Sequence, residues 1–390
     1  MGAYFYINNK INQEHENIEE KSMKKNKDLN LLPNPNFQNN KIILKSHQYS
    51  KDIFGNLLSC YEIYNLCNIK NAFYIAYIIT DSILEISKYD FNIITKIMTI
   101  NIESKKIKKI KYFYDEFFKK EYLIIQSSLE IVIFSIISED VYKRICIYSE
   151  EGYLSKGDFR HYKGKLPIND FIIFNNIYNK KNYLVILYFY LTSCDTHEKK
   201  ISLLKLENNN LKVIKEIIAI DSSIFTRKIF LLWEDKISKS YYIIYNSFEK
   251  LVLLKIDDTN NKNLINIDKL FPSFGDFIGC IVNNKNKKDY LYLININGLT
   301  MIIDLNLKEK IKEFTLFDDI KSIINWNNKY LIFSTNKNIY VFDIEQNKII
   351  NKISFNSDKN IISINKFLFE ECNLYSLIIE FDNKEIIMKC

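Results

Sequence analysis

The stretch IKSIINWNNKYLIFSTNKNIYVFDIEQNKIINKISF, residues 320–355, contains four short apolar runs separated by breaks rich in Asn, Lys and Ser. The runs consist largely of Ile, Tyr, Phe and Val, which is the composition of β-strands. The polar breaks are short enough for tight turns between antiparallel neighbours. The stretch therefore predicts one small antiparallel sheet of four strands.

This four-strand unit recurs along the chain. Its second strand has counterparts that begin about 40 to 60 residues apart, at 74–80, 122–128, 183–190, 241–247, 290–295 and 374–380. Repetition with this period is typical of a β-propeller, in which each sheet buries its faces against its neighbours. We predict an all-β, seven-bladed β-propeller with blades at approximately 57–101, 106–149, 168–218, 225–270, 277–316, 320–355 and 360–390 plus 41–47.

The two ends of this repeat predict how the ring closes. The last unit reaches Cys390 after three strands, whereas KIILKSH (41–47) precedes the first complete unit without a blade of its own. We predict that this N-terminal strand completes the last blade, so that the propeller spans 41–390. Residues 1–40 are polar and end in a segment with two prolines, which predicts a disordered N-terminal tail.

The positive charge of the chain is almost entirely lysine. The formal net charge is +7, but only three arginines occur, Arg144, Arg160 and Arg227. Base reading and bidentate phosphate binding favour arginine, so the composition argues against a nucleic-acid-binding protein and favours a solvated lysine surface. The run KKIKKIK (105–111) fits a lysine-fringed strand with Ile107 and Ile110 turned inward; binding to anionic lipid or nucleic acid is the alternative.

Cysteine usage and the uncharged runs indicate the compartment. Seven cysteines without a CxxC pair fit reduced thiols. The first residues lack a basic segment followed by an apolar core, so we expect no secretory signal. The longest uncharged run, 182–194, is too short to span a bilayer as a helix. We expect a cytoplasmic protein, with a nuclear location as the alternative, that is not secreted and has no transmembrane segment.

The third strands resemble those of the WD-repeat propeller family, which typically end in an aliphatic residue followed by Trp-Asp. The best match is Val341-Phe342-Asp343, with weaker matches at Ile303-Asp304, Ile256-Asp257 and Tyr89-Asp90. The chain contains neither a Trp-Asp dipeptide nor the Gly-His dipeptide that usually precedes a blade. The resemblance implies a rigid platform within a multi-subunit assembly that binds proteins and catalyses nothing.

The chain offers no constellation of residues for catalysis. Its four histidines are scattered, and Cys194 with His197 could supply only half of a tetrahedral zinc site. The segment Gly152–Gly157 lacks the lysine of a phosphate-binding loop, and GxSxG and HExxH motifs are absent. We therefore expect no catalytic residues, no metal, no cofactor and no small-molecule substrate. A propeller hydrolase, with carboxylates or histidines along the central channel, is the less favoured alternative.

Connections between blades supply the candidate binding residues. The long connection 150–167 holds three of the eight glycines together with Arg160, His161 and Tyr162. Long loops on rigid scaffolds often carry function, and aromatic residues and arginine dominate many interfaces. The segments 191–200, with His197, and 271–276, with Phe274, should open on the same propeller face. An insertion without any partner is the alternative interpretation of 150–167.

These observations predict a protein-interaction scaffold subunit of an intracellular multi-protein complex. Recruitment to an anionic membrane or to nucleic acid through the lysines is the first alternative, and vesicle sedimentation with and without acidic lipid distinguishes it. The hydrolase is the second alternative, distinguished by the side chains that line the channel. Protein partners are predicted as a class, without their identities.

Overall fold

In the computed structural model every regular element among the described residues is a β-strand. The structure describes residues 40–43, 50–51, 57–58, 61–67, 69, 72–90, 93–103, 106–156, 160–193, 196–207, 210–221, 230–247, 250–256, 264–267, 277–283, 288–295, 297–316, 320–355, 359–369, 374–382 and 385–389. Within these ranges no helix is long and apolar enough to cross a bilayer. The predicted tail, residues 1–40, lies outside them except for its last residue.

Seven four-stranded antiparallel sheets follow one another along the described chain. The first four have these strands: sheet 1, β4 (Tyr61–Tyr64), β5 (Phe73–Thr80), β6 (Ile83–Asp90) and β7 (Ile93–Asn101); sheet 2, β8 (Ile107–Asp115), β9 (Lys120–Ser127), β10 (Ile131–Ser138) and β11 (Val141–Tyr148); sheet 3, β14 (Ile168–Asn176), β15 (Lys181–Ser193), β16 (Thr196–Glu207) and β17 (Asn210–Asp221); sheet 4, β18 (Phe230–Asp235), β19 (Ser240–Ser247), β20 (Lys250–Ile256) and β21 (Leu264–Ile267).

The last three sheets repeat this meander with strands of similar length. They are sheet 5, β22 (Phe277–Asn283), β23 (Asp289–Asn295), β24 (Leu299–Asp304) and β25 (Glu309–Thr315); sheet 6, β26 (Ser322–Trp326), β27 (Tyr330–Ser334), β28 (Asn338–Asp343) and β29 (Lys348–Ser354); and sheet 7, β30 (Ile361–Phe369), β31 (Leu374–Phe381), β32 (Glu385–Lys389) and β1 (Asn40–Ile43). Two further pairs lie in connections: β2 (Ser50–Lys51) with β3 (Leu57–Leu58), and β12 (Glu151–Lys156) with β13 (Arg160–Lys165).

Each second strand buries both of its faces, which explains its unbroken run of apolar residues. In β9, Leu123 and Ile125 lie in the core between sheets 1 and 2, whereas Tyr122 and Ile124 lie in the core between sheets 2 and 3. Successive residues of a strand point to opposite faces, so one run of sequence supplies two cores. The same division holds at the interfaces of the remaining sheets.

Sheet 7 packs back on sheet 1 and closes the ring. Ile378 of sheet 7 joins a cluster with Phe73 and Ile75 of sheet 1. The Asn365 side-chain amide donates a hydrogen bond to the Tyr61 hydroxyl at 3.2 Å, also between these two sheets.

The outer strand of sheet 7 comes from the N-terminal part of the chain. Strand β1 pairs antiparallel with β32, with Asn40 opposite Met388 and Ile43 opposite Glu385. The predicted all-β propeller with an N-terminal strand in its last blade is therefore confirmed. Residues 44–47 of the predicted strand lie outside the described residues. The blade boundaries, and a count of seven for the whole chain, stay predictions.

The meander fixes which turns share a propeller face. Turns between first and second strands and between third and fourth strands lie on one face, which we call the lysine-turn face. Turns between second and third strands lie on the opposite face, together with the connections between sheets. We call this second face the groove face.

Two lysines of the run 105–111 form ion pairs between the innermost strands of neighbouring sheets. The Lys109 ammonium lies 2.6 Å from the Asp170 carboxylate of sheet 3, and Lys111 lies 2.7 Å from Glu62 of sheet 1. Ile107 and Ile110 are buried, as the sequence predicts. These contacts support the interpretation of 105–111 as part of the blade framework, because Lys109 and Lys111 already have carboxylate partners.

The buried thiol of Cys280 provides a test of the packing between sheets 5 and 6. Cys280 lies on β22 in the core between these sheets, and burial raises the pKa of its thiol to about 12. The thiolate is the reactive form. We therefore expect iodoacetamide at mildly alkaline pH to modify exposed Cys67 in the native protein, and Cys280 only after denaturation. Mass spectrometry of the labelled peptides measures both rates; equal rates in the native protein would show that these sheets separate in solution.

Candidate functional site

A groove opens on the groove face between sheets 1 and 2. Its volume is about 320 Å³, which is near the lower end of the ~300–1,000 Å³ typical of ligand pockets. Its lining comes from four parts of the chain: the end of sheet 1 (Asn101, Ile102, Glu103), the second turn of sheet 2 (Ser127, Leu129, Glu130), the outer strands of sheet 2 (Val132, Phe134, Arg144, Ile147) and Lys165 of β13.

The floor of the groove is the top of the core between sheets 1 and 2. Ile102, Val132 and Phe134 belong to that core and are buried. Leu129 and Ile147 stand beside them, and both are exposed. Exposed apolar side chains around a concave surface are typical of interaction sites.

Two ion pairs border the apolar floor. The Lys165 ammonium contacts the Glu130 carboxylate, and the Arg144 guanidinium lies 3.7 Å from Glu103. Arg144 and Glu103 are both exposed, so their attraction is weak and either side chain is able to turn toward a ligand. The groove thus combines an apolar floor with a rim of both charges.

Hydrogen bonds from backbone N–H groups hold both walls of the groove in place. The Ser127 hydroxyl accepts hydrogen bonds from the backbone N–H groups of Leu129 (3.3 Å) and Glu130 (3.0 Å), which fixes the turn that carries both residues. On the other wall, the Ile102 N–H donates to the Ser82 carbonyl at 2.7 Å. The groove is therefore preformed, which lowers the entropy cost of binding.

The connection 150–167 is a β-hairpin rather than the open loop that the sequence analysis predicts. Strands β12 and β13 pair in regular register, with Gly152 opposite Gly164 and Lys156 opposite Arg160. Pairing satisfies the backbone groups of a long connection that would otherwise lack partners. The signal was present in the sequence, since Gly157-Asp158 has the composition typical of a turn and separates two runs containing aromatic residues.

A buried ion pair anchors the base of this hairpin. The Lys200 ammonium on β16 contacts the Glu150 carboxylate, and both side chains are only 11% exposed. The second Glu150 oxygen accepts a hydrogen bond from the Ser202 hydroxyl at 3.0 Å. The Leu166 N–H donates to the Glu150 carbonyl at 2.7 Å on the other side of the hairpin. Glu150 thereby ties the hairpin to sheet 3.

Sheet 3 also projects beyond its neighbours on the groove face. Strand β15 has 13 residues, and Tyr188 is opposite Ile168, the first residue of β14. Residues 189–193 therefore extend past β14 by about 15 Å, at ~3.3 Å per residue. Strand β12 contacts β15, so the hairpin and this extension form one raised wall next to the groove. Residues 191–193 and 196–200 of the predicted loop consequently belong to two long strands, β15 and β16, and residues 194–195 lie outside the described residues.

The structure places the predicted binding residues as follows. Arg160, His161 and Tyr162 lie on β13 opposite Lys156, Ser155 and Leu154. His197 lies on β16 opposite Leu191. Phe274 and the segment 271–276 lie outside the described residues. The roles of these five residues stay predictions, whereas the groove residues Leu129, Arg144 and Ile147 were not singled out by the sequence analysis.

Within the described residues, no group of three or more His, Cys, Asp and Glu side chains is arranged to hold a metal ion. Cys194, which with His197 could supply only half of a zinc site, lies outside the described residues.

Comparison with known proteins identifies the fold only. The crystal structure of BBS1N in complex with ARL6DN, soaked with mercury, matches with a TM-score of 0.59 at 11% identity, over 85% of this chain and 92% of that chain. The crystal structure of Saccharomyces cerevisiae Sqt1 matches with a TM-score of 0.51 at 10% identity, over 89% of this chain and 99% of that chain. No protein-family model and no curated protein sequence matches the chain. The likeness shows a β-propeller fold.

Proposed function

We propose that this chain is a non-catalytic protein-interaction scaffold within an intracellular multi-protein complex. The observation that carries the proposal is the groove, because it is a preformed concave site with an apolar floor. The Ser127 hydroxyl of its lining orders its own turn, and the carboxylates Glu103 and Glu130 are each paired with a cation. The architecture supports the proposal, since one of the two similar propellers, BBS1N, was crystallised in complex with ARL6DN.

A protein segment with an apolar anchor is the ligand that fits the groove best. The anchor would cover Leu129 and Ile147, and polar groups on either side would meet the Glu130–Lys165 and Glu103–Arg144 pairs. The raised wall of hairpin and sheet 3 reaches the groove through Lys165, and the positions of Arg160, His161, Tyr162 and His197 belong to the strands of this wall. We therefore assign these four residues to the same interface, with Phe274 as a predicted member.

We also propose that the chain is a divergent member of the WD-repeat family. Asp343 and Asp304 end the third strands of sheets 6 and 5, at the place of the family's aspartate, and both are buried. Asp343 accepts a hydrogen bond from the Gln346 N–H at 2.8 Å, so the carboxylate orders the following turn. The aspartate is thus kept for a structural reason although the tryptophan is absent.

Replacing Leu129 and Ile147 together with serine tests the groove. Because interface anchors each contribute about 1–3 kcal/mol, we expect the double variant to bind its partners at least tenfold more weakly. The measurement is affinity purification of the tagged protein, quantified by mass spectrometry, followed by titration with each recovered partner. The Arg160→Ala, Tyr162→Ala double variant tests the hairpin in the same way.

Ile94→Ser with Ile311→Ser is the matched control. Both isoleucines are exposed and lie on fourth strands, as Ile147 does, but near the lysine-turn face. The control reproduces the loss of β-propensity without touching the groove. The proposed interface would be contradicted if the groove variant and the hairpin variant both recover every partner as fully as the control does.

A further inference from the structure

Exposed apolar side chains concentrate on the lysine-turn face. Of the twelve large apolar side chains that are exposed among the described residues, ten lie in its turns or within four residues of them. The other two, Leu129 and Ile147, line the groove. The strongest exposure is at turn tips, where Phe118 is 65% exposed, Ile237 64% and Leu307 63%, and at Ile137 (64%) near the end of β10. Such an asymmetry indicates a surface that is covered when the protein functions.

A recurring turn presents these tips. At the end of the preceding strand an Asp or Asn accepts hydrogen bonds from backbone N–H groups of the next residues, as Asp115 does from Phe117 (2.9 Å) and Phe118 (3.0 Å). Asn176, Asp235 and Asp304 act alike in sheets 3, 4 and 5. The side-chain caps fix the turns, so little entropy is lost when the tips are buried.

Each of these four turns ends in a lysine with left-handed backbone. Lys119, Lys180, Lys239 and Lys308 have φ between 51° and 62°. In sheet 6 the corresponding residue is Asn347, at φ 52°. Left-handed backbone is uncommon outside glycine, and asparagine adopts it more readily than lysine. The lysines are therefore not required by the turn itself.

Neighbouring turns are tied side by side. The Glu116 N–H donates to Asn175 Oδ1 at 3.4 Å, and Asn175 Nδ2 donates to the Tyr114 carbonyl at 2.9 Å, between sheets 2 and 3. The Tyr178 hydroxyl donates to the Glu234 carboxylate at 2.7 Å, between sheets 3 and 4. The tips of sheets 2, 3 and 4 consequently lie along one arc of the ring.

The inner part of this face is basic. Segments 115–120, 176–181 and 235–240 contain six lysines and three carboxylates, Asp115, Glu116 and Asp235. Two of these carboxylates cap their own turns. Acidic side chains also occur nearer the rim, where Glu139 is paired with Lys88 at 2.8 Å and Asp140 accepts a hydrogen bond from Ser138. Around the apolar tips lysine predominates.

We propose that the lysine-turn face docks on an anionic lipid bilayer. Apolar tips that protrude from one face and are flanked by lysines match the two requirements of interfacial binding, apolar insertion and attraction to acidic headgroups. Lysine stems bury their methylenes while the ammonium reaches the headgroups. The tips are convex, whereas a protein segment would be held by a concave site such as the groove on the opposite face. The two faces thus suit a membrane and a protein partner at the same time.

Vesicle sedimentation of the full chain tests this inference. The probes are vesicles of phosphatidylcholine alone and vesicles of equal parts phosphatidylcholine and phosphatidylserine. We expect sedimentation only with the second kind, and less of it at high salt, because salt screens the lysine–headgroup attraction. The variant Lys119→Asn, Lys180→Asn, Lys239→Asn should partition at least tenfold more weakly, since each lysine near an anionic surface contributes about fivefold.

Two further variants separate insertion from charge. Phe118→Ser, Ile237→Ser, Leu307→Ser keeps every charge, and we expect it to bind phosphatidylserine vesicles several times more weakly. Leu129→Ser, Ile147→Ser removes exposed apolar side chains from the groove face and should sediment like the wild type. Circular dichroism and melting curves test whether each variant is folded. We expect folded variants, because all substituted side chains are solvent-exposed or lie in turns that tolerate asparagine.

Three results would overturn the inference. The first is an unmodified chain that does not sediment with phosphatidylserine vesicles. The second is a serine-tip variant that binds those vesicles as strongly as the wild type. The third is loss of a protein partner, without any vesicle binding, when the tips are substituted; the face would then be a protein interface. None of these results depends on the groove, whose partners are measured separately.

Discussion

Replacing Glu150 with alanine will lower the free energy of unfolding by about 3 kcal/mol. The substitution leaves the Lys200 ammonium, 11% exposed, without its buried carboxylate partner. Removing one member of a buried pair typically costs ~3–5 kcal/mol, because the remaining charge stays desolvated. We expect the lower end, since Glu216 still lies 3.1 Å from Lys200. Chemical denaturation of the two proteins measures the difference.

Glu216→Ala is the matched control for this prediction. Glu216 contacts the same ammonium, but its side chain is 45% exposed, so its loss should cost less than about 1 kcal/mol. Glu150→Ala should in addition speed hydrogen exchange across β12 and β13, because the hairpin loses its link to Ser202. If both substitutions cost the same, Glu150 is not the buried anchor described above.

Removing strand β1 will destabilise the propeller by several kcal/mol. A chain beginning at residue 45 lacks the strand that pairs with β32 through four residue pairs, and each lost backbone hydrogen bond costs about 1 kcal/mol. The uncovered edge of β32 also becomes a template for pairing with other chains. We expect a lower melting temperature, aggregation at lower protein concentration and faster hydrogen exchange at 385–389.

A chain beginning at residue 37 is the matched control for the truncation. It loses most of the N-terminal segment but keeps β1. Its melting temperature and the exchange of β32 should equal those of the full chain. Identical behaviour of both truncated chains would mean that β1 does not hold sheet 7 in solution.

The architecture could be predicted from the sequence because its signal is local and repeated. The run Tyr122–Ser127 (YLIIQS) resembles Tyr330–Ser334 (YLIFS) in composition, and both are second strands of their sheets. Burial of both faces demands such continuous apolar runs, and tight turns demand the polar residues between them. The N-terminal strand could be assigned by counting, since sheet 7 would otherwise lack its fourth strand.

The candidate site could be predicted only in part. The sequence directs attention to 150–167, but the groove beside it combines Glu103, Leu129, Arg144 and Lys165, whose proximity follows from the packing of sheets 1 and 2. Burial also decides which apolar residues matter: Phe113 and Phe118 lie on either side of Asp115 and Glu116 in YFYDEFF (112–118), yet only Phe118 is exposed. The repeated spacing of Asp115 with Lys119 and of Asp235 with Lys239 is visible in the sequence. It indicates a common surface only when the fold shows that these turns lie on the same propeller face.

The pairing of Asn40 with Met388 has a consequence for synthesis on the ribosome. A eukaryotic or bacterial ribosome adds about 5–20 residues per second, so β1 waits roughly 20 to 70 s for its partner strand to be made. During that time Phe73 and Ile75 of sheet 1 have no sheet 7 to cover them. The nascent chain therefore exposes an aggregation-prone apolar surface for most of its translation. A holding chaperone that shields sheet 1 during synthesis would raise the yield of the finished protein more than one that acts after release.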